Sequence, residues 1–484
     1  MKLAIDPDNS AALLATKPLS SDQATDRQQQ SVYFDTPEQQ LLEAGLSLRI
    51  RTIGDRRIQT IKAESSAAAG LFVRPEWECE INGDAPVLED DDAPISGVVP
   101  AADVDRLKPL FRVEVTRRTV LVERADAVIE VVFDRGAVHS ATRSDPVHEV
   151  ELELKRGEPA ALFELARDLD QSVPVRLGVL TKSERGYRLA TTDLDKPVKT
   201  GLLTLRPGTS TAAGFRMIVG ACVRQFRLNE DILRRTGNAG ALHQARVSLR
   251  RLRSALSTFK TIVADDQYDQ LRTELRWIAA ELGHARNLDV MLERVSSRKA
   301  GKPLHAARKS AYEAVQTALA SERTRALMLD MAEWTAIGSW ASDDVRSAVR
   351  EEAIEVFAAA ALDKHRRRLK RLGRNLDEVS DDERHDVRIE AKKLRYATEF
   401  FASLFRGKKP ARRYKAFHEA LAALQANLGD LNDLATAPIV IAELSLAGTP
   451  TADALEPDMS RRDPLIKEAA DAYATLMDSK PFWR

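Results

Sequence analysis

Glutamates recur at alternate positions in several short segments of this 484-residue chain, and in an extended strand such residues share one face. Glu149, Glu151, Glu153 and Lys155 form one such row, Glu76, Glu78 and Glu80 a second, and Glu130 with Asp134 a third. Arg112, Glu114 and Thr116 form another, and Arg49 with Arg51 a purely cationic one, while the intervening residues, Val150, Leu152, Leu154, Leu48 and Ile50, are apolar. A single row of this kind reads as a solvated sheet face. Five rows of mixed sign read as a barrel with a charged interior. Carboxylates at this spacing are hard oxygen ligands for Mg²⁺ or Mn²⁺, and neighbouring Arg and Lys neutralise phosphate oxygens. The chemistry both signs serve is metal-assisted hydrolysis of a polyphosphate, in which water attacks a terminal phosphorus.

A second pattern is helical. In "HQARVSLRRLR", a wheel at about 100° per residue places His243, Arg246, Arg250 and Arg253 within roughly an 80° arc. Ala245, Leu249, Leu252 and Leu256 fall on the adjacent arc, so the helix is amphipathic with a cationic polar face. The pattern returns in "HDVRIEAKKLR" as His385, Arg388, Lys392 and Arg395, and both copies reach a Phe at the same offset. Downstream, "ELGHARNLDVM" and "NLGDLNDLATA" form a second matched pair, with Gly283 and Gly429 at offsets of 40 and 44 from the two histidines. Upstream, "CVRQFRLN" adds Arg224 and Arg227. Two copies of one basic helical unit follow. The histidines are open to three readings, as metal ligands, phosphate donors or helix-face residues. Asp430 and Asp433 either bind metal or pair with the basic helices.

The elements that must position these residues differ between the two halves. Up to about residue 190 the chain reads as short alternating strands with a helix near 158–173, and beyond about residue 210 as long helices of 3.6-residue period. The segment 193–211 carries linker-like Pro and Gly. Charge divides likewise: residues 1–200 hold 26 basic and 35 acidic residues, a net of −9, and residues 201–484 hold 47 and 38, a net of +9. The expected organisation is therefore a β-rich domain over 1–192, a linker over 193–211 and an all-α domain over 212–484. Two cysteines, Cys79 and Cys222, exclude a disulfide framework. Without a secretory segment or an apolar run long enough to span a bilayer, the expected location is the cytoplasm, with no membrane partner. Nucleic acid is disfavoured, because aromatics are only 5% of the residues and the first half is acidic.

"VYFDTPEQQLLEAGLSLRIR", "QTIKAE", "RPEWECEI", "RVEVTRR", "VFDRG", "HEVELELKRG" and "TKSERGYRL" together resemble the CYTH domain, the triphosphate tunnel metalloenzyme fold. The region from about residue 210 resembles the CHAD domain, with the histidine–arginine repeat as its signature. The first resemblance implies an eight-stranded antiparallel tunnel acting as a triphosphatase. Lys2, Arg49, Arg51, Lys62, Arg74, Arg117, Lys182 and Arg185 would contact phosphate, and Glu76, Glu78, Asp134, Glu149, Glu151 and Glu153 would ligate Mg²⁺ or Mn²⁺. The second implies a helical bundle of two pseudo-symmetric repeats that binds long-chain inorganic polyphosphate and associates with polyphosphate granules. Arg224, Arg227, His243, Arg246, Arg250, Arg253, His385, Arg388, Lys392 and Arg395 would carry that binding. The tunnel family opens on Glu-x-Glu-x-Lys, whereas this sequence opens on "MKLAID", matching only the lysine. A start placed too far downstream, or a metal site short of its principal carboxylates, accounts for that. The rival expectation is a polyphosphate-binding protein with a degenerate tunnel.

Overall fold

The computed structural model describes residues 1–63, 71, 75–88, 94–191, 194–201, 203–294, 301–443 and 448–484. The alternating segments form strands β1 (Lys2–Ile5), β2 (Thr25–Asp35), β3 (Leu46–Ile53), β4 (Arg56–Ala63), β5 (Glu76–Glu80), β6 (Lys108–Arg124), β7 (Ala127–His139), β8 (Ser144–Arg156) and β9 (Val175–Leu177). The longer helices are α1 (Ala160–Ser172), α2 (Lys182–Thr191), α3 (Thr211–Thr236), α4 (Ala239–Thr258), α5 (Tyr268–Arg294), α6 (Lys302–Ala320), α7 (Glu322–Ile337), α8 (Ile354–Leu372), α9 (Asp381–Phe401), α10 (Lys408–Glu443) and α11 (Arg462–Asp478). Among the described residues no helix is long and apolar enough to cross a membrane. The chain divides into two compact units. The first comprises Met1–Val198, Arg227–Asn238 and Ala320–Ile337, and the second Lys199–Phe226, Ala239–Leu319 and Gly338–Arg484.

In the first unit the strands form one antiparallel sheet in the order β5-β4-β3-β2-β6-β7-β8-β1-β9. Among the described residues it has nine strands where eight were expected, and no pairing closes β5 onto β9. The additional strand, β9, is three residues long, too short to show alternation in sequence. Register fixes which side chains share a face: Arg117 lies opposite Asp134, Asp134 opposite Glu149, Glu149 opposite Ala4, and Ala4 opposite Arg176. In the same way Lys2 lies opposite Glu151, and Lys62 opposite Glu76. The sheet is curled. β4 and β8 stand five positions apart in the strand order, about 24 Å in a flat sheet at about 4.8 Å per strand, yet the Glu151 charge acts on Lys62.

Both faces are covered. Leu48, Ile50 and Ile61 join Phe34 and Leu46 in one core. On the other face Tyr33, Phe111, Val113, Val115, Val138 and Val147 pack with Tyr187 and Leu189 of α2. Along β6 and β8 this apolar floor gives way to charge, Val113 and Val115 leading to Arg117, and Val147 to Glu149 and Glu151. The α2 helix is thereby laid against the concave face with Lys182 and Arg185 in its first turn.

The second unit is all helical. The apolar arc of α4, Ala245, Leu249, Leu252 and Leu256, is fully buried as its spacing requires. The α9 helix starts at a capping box between Ser380 and Glu383, and buries Val387, Ala391, Leu394 and Ala397. The phenylalanines that end the two sequence repeats, Phe259 and Phe401, meet with ring centroids 5.9 Å apart, and Phe259 also stacks on Phe357 at 4.6 Å.

At Gly186 α2 lies close against the sheet. A Cβ there would stand 1.9 Å from the Phe111 ring, which is itself held by stacking on Tyr33 and an edge contact with Tyr187. Gly→Ala inside a helix ordinarily stabilises by about 1 kcal/mol, but overpacking costs about 1–3 kcal/mol. Gly186→Ala is therefore expected to lower the melting temperature, measured by thermal denaturation followed by circular dichroism.

Candidate functional site

The concave face of the first unit holds a six-residue ion cluster. Arg117 donates twice to Asp134, Nε to Oδ1 at 2.8 Å and Nη2 to Oδ2 at 2.6 Å, and its Nη2 also reaches Glu151 Oε2 at 3.2 Å. Lys2 Nζ reaches Glu149 Oε1 at 2.7 Å and Glu151 Oε1 at 3.0 Å. Lys182 Nζ sits among all three carboxylates, at 2.6 Å from Asp134 Oδ2, 3.0 Å from Glu151 Oε1 and in contact with Glu149 Oε1. Three cations thus face three anions. Burial alone would hold these carboxyls protonated, but Lys182, joined by Arg117 at Asp134 and by Lys2 at Glu149 and Glu151, keeps all three pKa values below the ordinary carboxylate range. Burial likewise disfavours the charged forms of Lys182 and Arg117, and the carboxylates outweigh it, holding both cations firmly protonated.

The six come from five elements. β1, β6, β7 and β8 supply five of them through strand register, and the first turn of α2 supplies Lys182. One oxygen of each of Asp134, Glu149 and Glu151 lies within 4.8 Å of the others, the spacing that lets them share an ion. Glu149 Oε2 is buried and accepts no hydrogen bond. A buried acceptor left open on a triad of hard oxygen donors fits a divalent cation of the Mg²⁺ or Mn²⁺ type.

The remaining expected residues spread outward from this cluster. Arg49 approaches the Tyr33 hydroxyl at 3.5 Å, with its Nε buried and unpartnered, and Arg51 is half-buried on the same strand. Arg185 pairs with Asp145 at 3.1 Å, a partner with no counterpart among the spacing motifs. Burial and Arg49 pull the Lys62 ammonium pKa down, opposed by its 2.5 Å partner Glu76 and by Glu151. Arg74 lies outside the described residues. Among the described residues, three of the six expected metal ligands stand apart from the carboxylate triad. Glu76 and Glu78 lie on the sheet's edge strand, opposite Lys62 and Thr60, and Glu78 accepts from Thr60 at 2.8 Å. Glu153, at the exposed end of β8, pairs instead with Lys155 at 2.8 Å. Sharing a face is not sharing a site.

In the second unit the matched helices α4 and α9 bring their cations together. His243, Arg246 and Arg250 from α4 meet Arg388 and Lys392 from α9, with Arg286 of α5 as an additional member. Burial, then Arg250, Arg286 and Arg388, pull the Arg246 pKa down to about 10. Burial, then Arg388, Arg250 and Arg246, pull Lys392 down to about 7, with Asp433 opposing. Burial and the arginines also lower His243. Arg246 Nη1, Arg250 Nε and Arg388 Nε are buried without an acceptor. Gly283 makes room for this, since a Cβ there would stand 2.5 Å from Arg246 Nη1. Arg286 is paired with Glu293 at 2.9 Å, and Asp433 acts on Arg388 and Lys392; the cations still outnumber these acids, an arrangement that suits an anion.

The other basic candidates are placed differently. Arg253 is exposed beside Arg272 and Arg276. Arg395 is bound to Glu399 at 2.9 Å and Gln425 at 3.1 Å, and His385 to Asn432 at 2.9 Å. Arg224 is half-buried. Arg227 belongs to the first unit, where its guanidinium is buried against Glu230 and the Leu177 carbonyl. Arg286 lies in "GHARNLD", where the repeat shares only its Gly and Asp positions, so the repeat pattern gives its arginine no role.

Two outcomes follow. Removing the central cation leaves the buried Asp134 and Glu149 and the half-buried Glu151 undercompensated, so Lys182→Met is expected to destabilise the first unit by about 3–5 kcal/mol, read from chemical denaturation. Because the folded Lys392 pKa lies below its unfolded value, the unfolded chain binds more protons between those two values, and stability rises with pH through that window. The melting temperature of the second unit should climb between about pH 7 and 9, and Lys392→Met should flatten that slope.

Comparison with known proteins follows the same division. Residues 1–187 match the CYTH domain and residues 217–442 the CHAD domain. A Haemophilus influenzae protein named inorganic triphosphatase is 29% identical over 164 residues, 33% of this chain and 45% of that protein, so the chain spans less than half of that relative. The crystal structure of the CHAD domain from the plant Ricinus communis is 27% identical and covers 59% of this chain and 98% of that one, with a TM-score of 0.49. A Hippeastrum protein with a dominant triphosphatase activity is 18% identical over 38% of this chain and 91% of its own, with a TM-score of 0.30.

Proposed function

The chain joins a CYTH domain to a CHAD domain, and we propose that the first hydrolyses inorganic triphosphate while the second grips long-chain inorganic polyphosphate. The domains on this reading run over 1–192 and 212–484, with 193–211 as linker. The observation that carries it is the coexistence of both signs in the ion cluster on the concave face. Cations alone would bind a polyanion, and carboxylates alone a metal. A metal-bound triphosphate needs the two together.

Asp134, Glu149 and Glu151 would hold the divalent ion, which when bound supplies Lewis acidity toward a phosphoryl oxygen and a water of lowered pKa. Lys2, Arg117 and Lys182 would turn from the carboxylates to phosphate oxygens, exchanging one set of charge-assisted hydrogen bonds for another. Arg49, Arg51, Lys62 and Arg185 would extend this cationic lining along the bound chain, with Arg74 by family resemblance. In the reaction the water oxygen bonds to the terminal phosphorus and the bridging P–O bond breaks. Pyrophosphate leaves with the electron pair of that bond and takes up the proton that the water loses, its charge stabilised by the cations already turned onto the phosphates.

In the second domain His243, Arg246, Arg250, Arg388 and Lys392 would bind consecutive phosphates, with Arg224, Arg253, His385 and Arg395 along the same path. Negative phosphates would raise the Lys392 pKa and supply acceptors to the three buried arginine nitrogens. Residence in the cytoplasm and on polyphosphate granules fits this pair of activities.

Phosphate release from tripolyphosphate by the intact chain, with Mg²⁺, with Mn²⁺ and with EDTA, tests the enzyme. Turnover should require the metal, and Glu149→Gln should reduce it at least 100-fold. Arg246→Met with Arg388→Met should leave that turnover unchanged and weaken binding of long polyphosphate at least tenfold, against a DNA competitor at matched salt. Polyphosphate binding without turnover under any metal would favour a binding protein with a degenerate tunnel.

A further inference from the structure

Four arginines of the first unit gather at the β9 edge of the sheet: Arg176 on β9, Arg227 and Arg234 in the segment Arg227–Asn238, and Arg325 on α7. Three have acidic partners. Arg227 is buried against Glu230, Arg325 pairs with Asp170 at 2.6 Å, and Arg234 approaches Asp6 at 3.6 Å. Arg176 is different. It is 8% exposed, its Nε is buried without an acceptor, and its side chain makes no hydrogen bond or ion pair with any described residue. Burial, then the charges of Arg234, Arg227 and Arg325, pull its pKa down to about 10, with Glu230 the opposing carboxylate.

A buried guanidinium without a counter-charge is strongly unfavourable, and this one is crowded by three more of its own sign. The local sum is four cations against three carboxylates, each of which already has a nearer arginine. What the site lacks is one anion. The guanidinium fork matches the two-oxygen edge of a tetrahedral oxyanion. Arg234 and Asp6, whose side chains are 21% and 40% exposed, leave a route from solvent. Register gives the location: Ala4 pairs with Glu149 on one side and Arg176 on the other, so Arg176 shares the face of the ion cluster, two strands from Glu149.

We propose that Arg176, with Arg234 as second donor, forms an oxyanion site of the phosphate class at the β9 edge, separate from the six-residue cluster. It rests on burial and pairing, and stands whether or not the chain turns over triphosphate. Its ligand is either free orthophosphate or the end phosphate of a chain lying along the same face.

The test is site-resolved. In crystals of the intact chain soaked with selenate, anomalous density is expected at Arg176, with loss of that peak but not of others in Arg176→Met. In solution, Arg176→Met should be at least as stable as the parent in phosphate-free buffer, since it removes an unpaired charge. It should lose the increment of melting temperature that orthophosphate gives through this site. A purely structural role for Arg176 predicts the reverse, a variant destabilised with and without phosphate, and would overturn the proposal. So would a parent crystal without selenium at Arg176, or one with its guanidinium re-paired to Glu230 or Asp6. Selenate density with an orthophosphate increment unchanged in Arg176→Met marks an adventitious ion only and also overturns it. A tripolyphosphate soak separates the two sources: an isolated tetrahedral peak identifies orthophosphate, and density running on toward Lys2 identifies a chain end.

Discussion

Charge taken out of water must be neutralised where it lies, and the first unit meets that constraint at one row of the sheet. Asp134 and Glu149 are both 0% exposed and sit side by side by register, a pair that would repel in isolation. Arg117 closes one end of the row, Lys2 approaches from β1, and Lys182 enters from above on α2. The position of α2 follows from this, because its first turn must reach the carboxylates while Gly186 and Tyr187 settle against Phe111. The cluster and the aromatic packing are two ends of the same helix placement.

The second unit solves a different problem with the same currency of charge. There the cations of α4, α5 and α9 face one another, and the few nearby acids leave them unbalanced. The cost is visible in the lowered pKa values of Arg246 and Lys392 and in donors that face no acceptor. Apolar packing beneath them, from Leu249, Leu252, Leu394 and the Phe259–Phe401 contact, holds the helices in place despite the repulsion. The ion cluster is therefore neutralised by its own side chains, while the helical nest keeps an excess of cations.

These two conditions give the ligands different effects. An anion entering the ion cluster competes with carboxylates already at hydrogen-bond distance, so its binding gains from a divalent cation that takes the carboxylates over. An anion entering the helical nest relieves repulsion directly and gains from proton uptake. Salt weakens both through screening, and pH separates them.

Periodicity was sufficient for much of this. The alternating rows fixed the strands β3 and β5 to β8 and the face carrying Glu149, Glu151 and Asp134, while the row of Arg112, Glu114 and Thr116 takes the face opposite to Arg117. The repeated "H-x-x-R-x-x-x-[RK]" pattern fixed which arc of α4 and α9 is basic, and the family motifs picked out Lys2 and Lys182. What a period cannot give is distance between faces. The curl of the sheet and the strand order decided that Asp134, Glu149 and Glu151 meet while Glu76, Glu78 and Glu153 do not, although all six obey the same alternation. Packing decided that Arg286 joins the helical nest and that Arg227, written in the basic half of the chain, is buried beside the sheet with Arg176. Local sequence sets which way a side chain points, and only the folded chain sets what stands opposite it, because pairing energy depends on separation and burial rather than on order along the backbone.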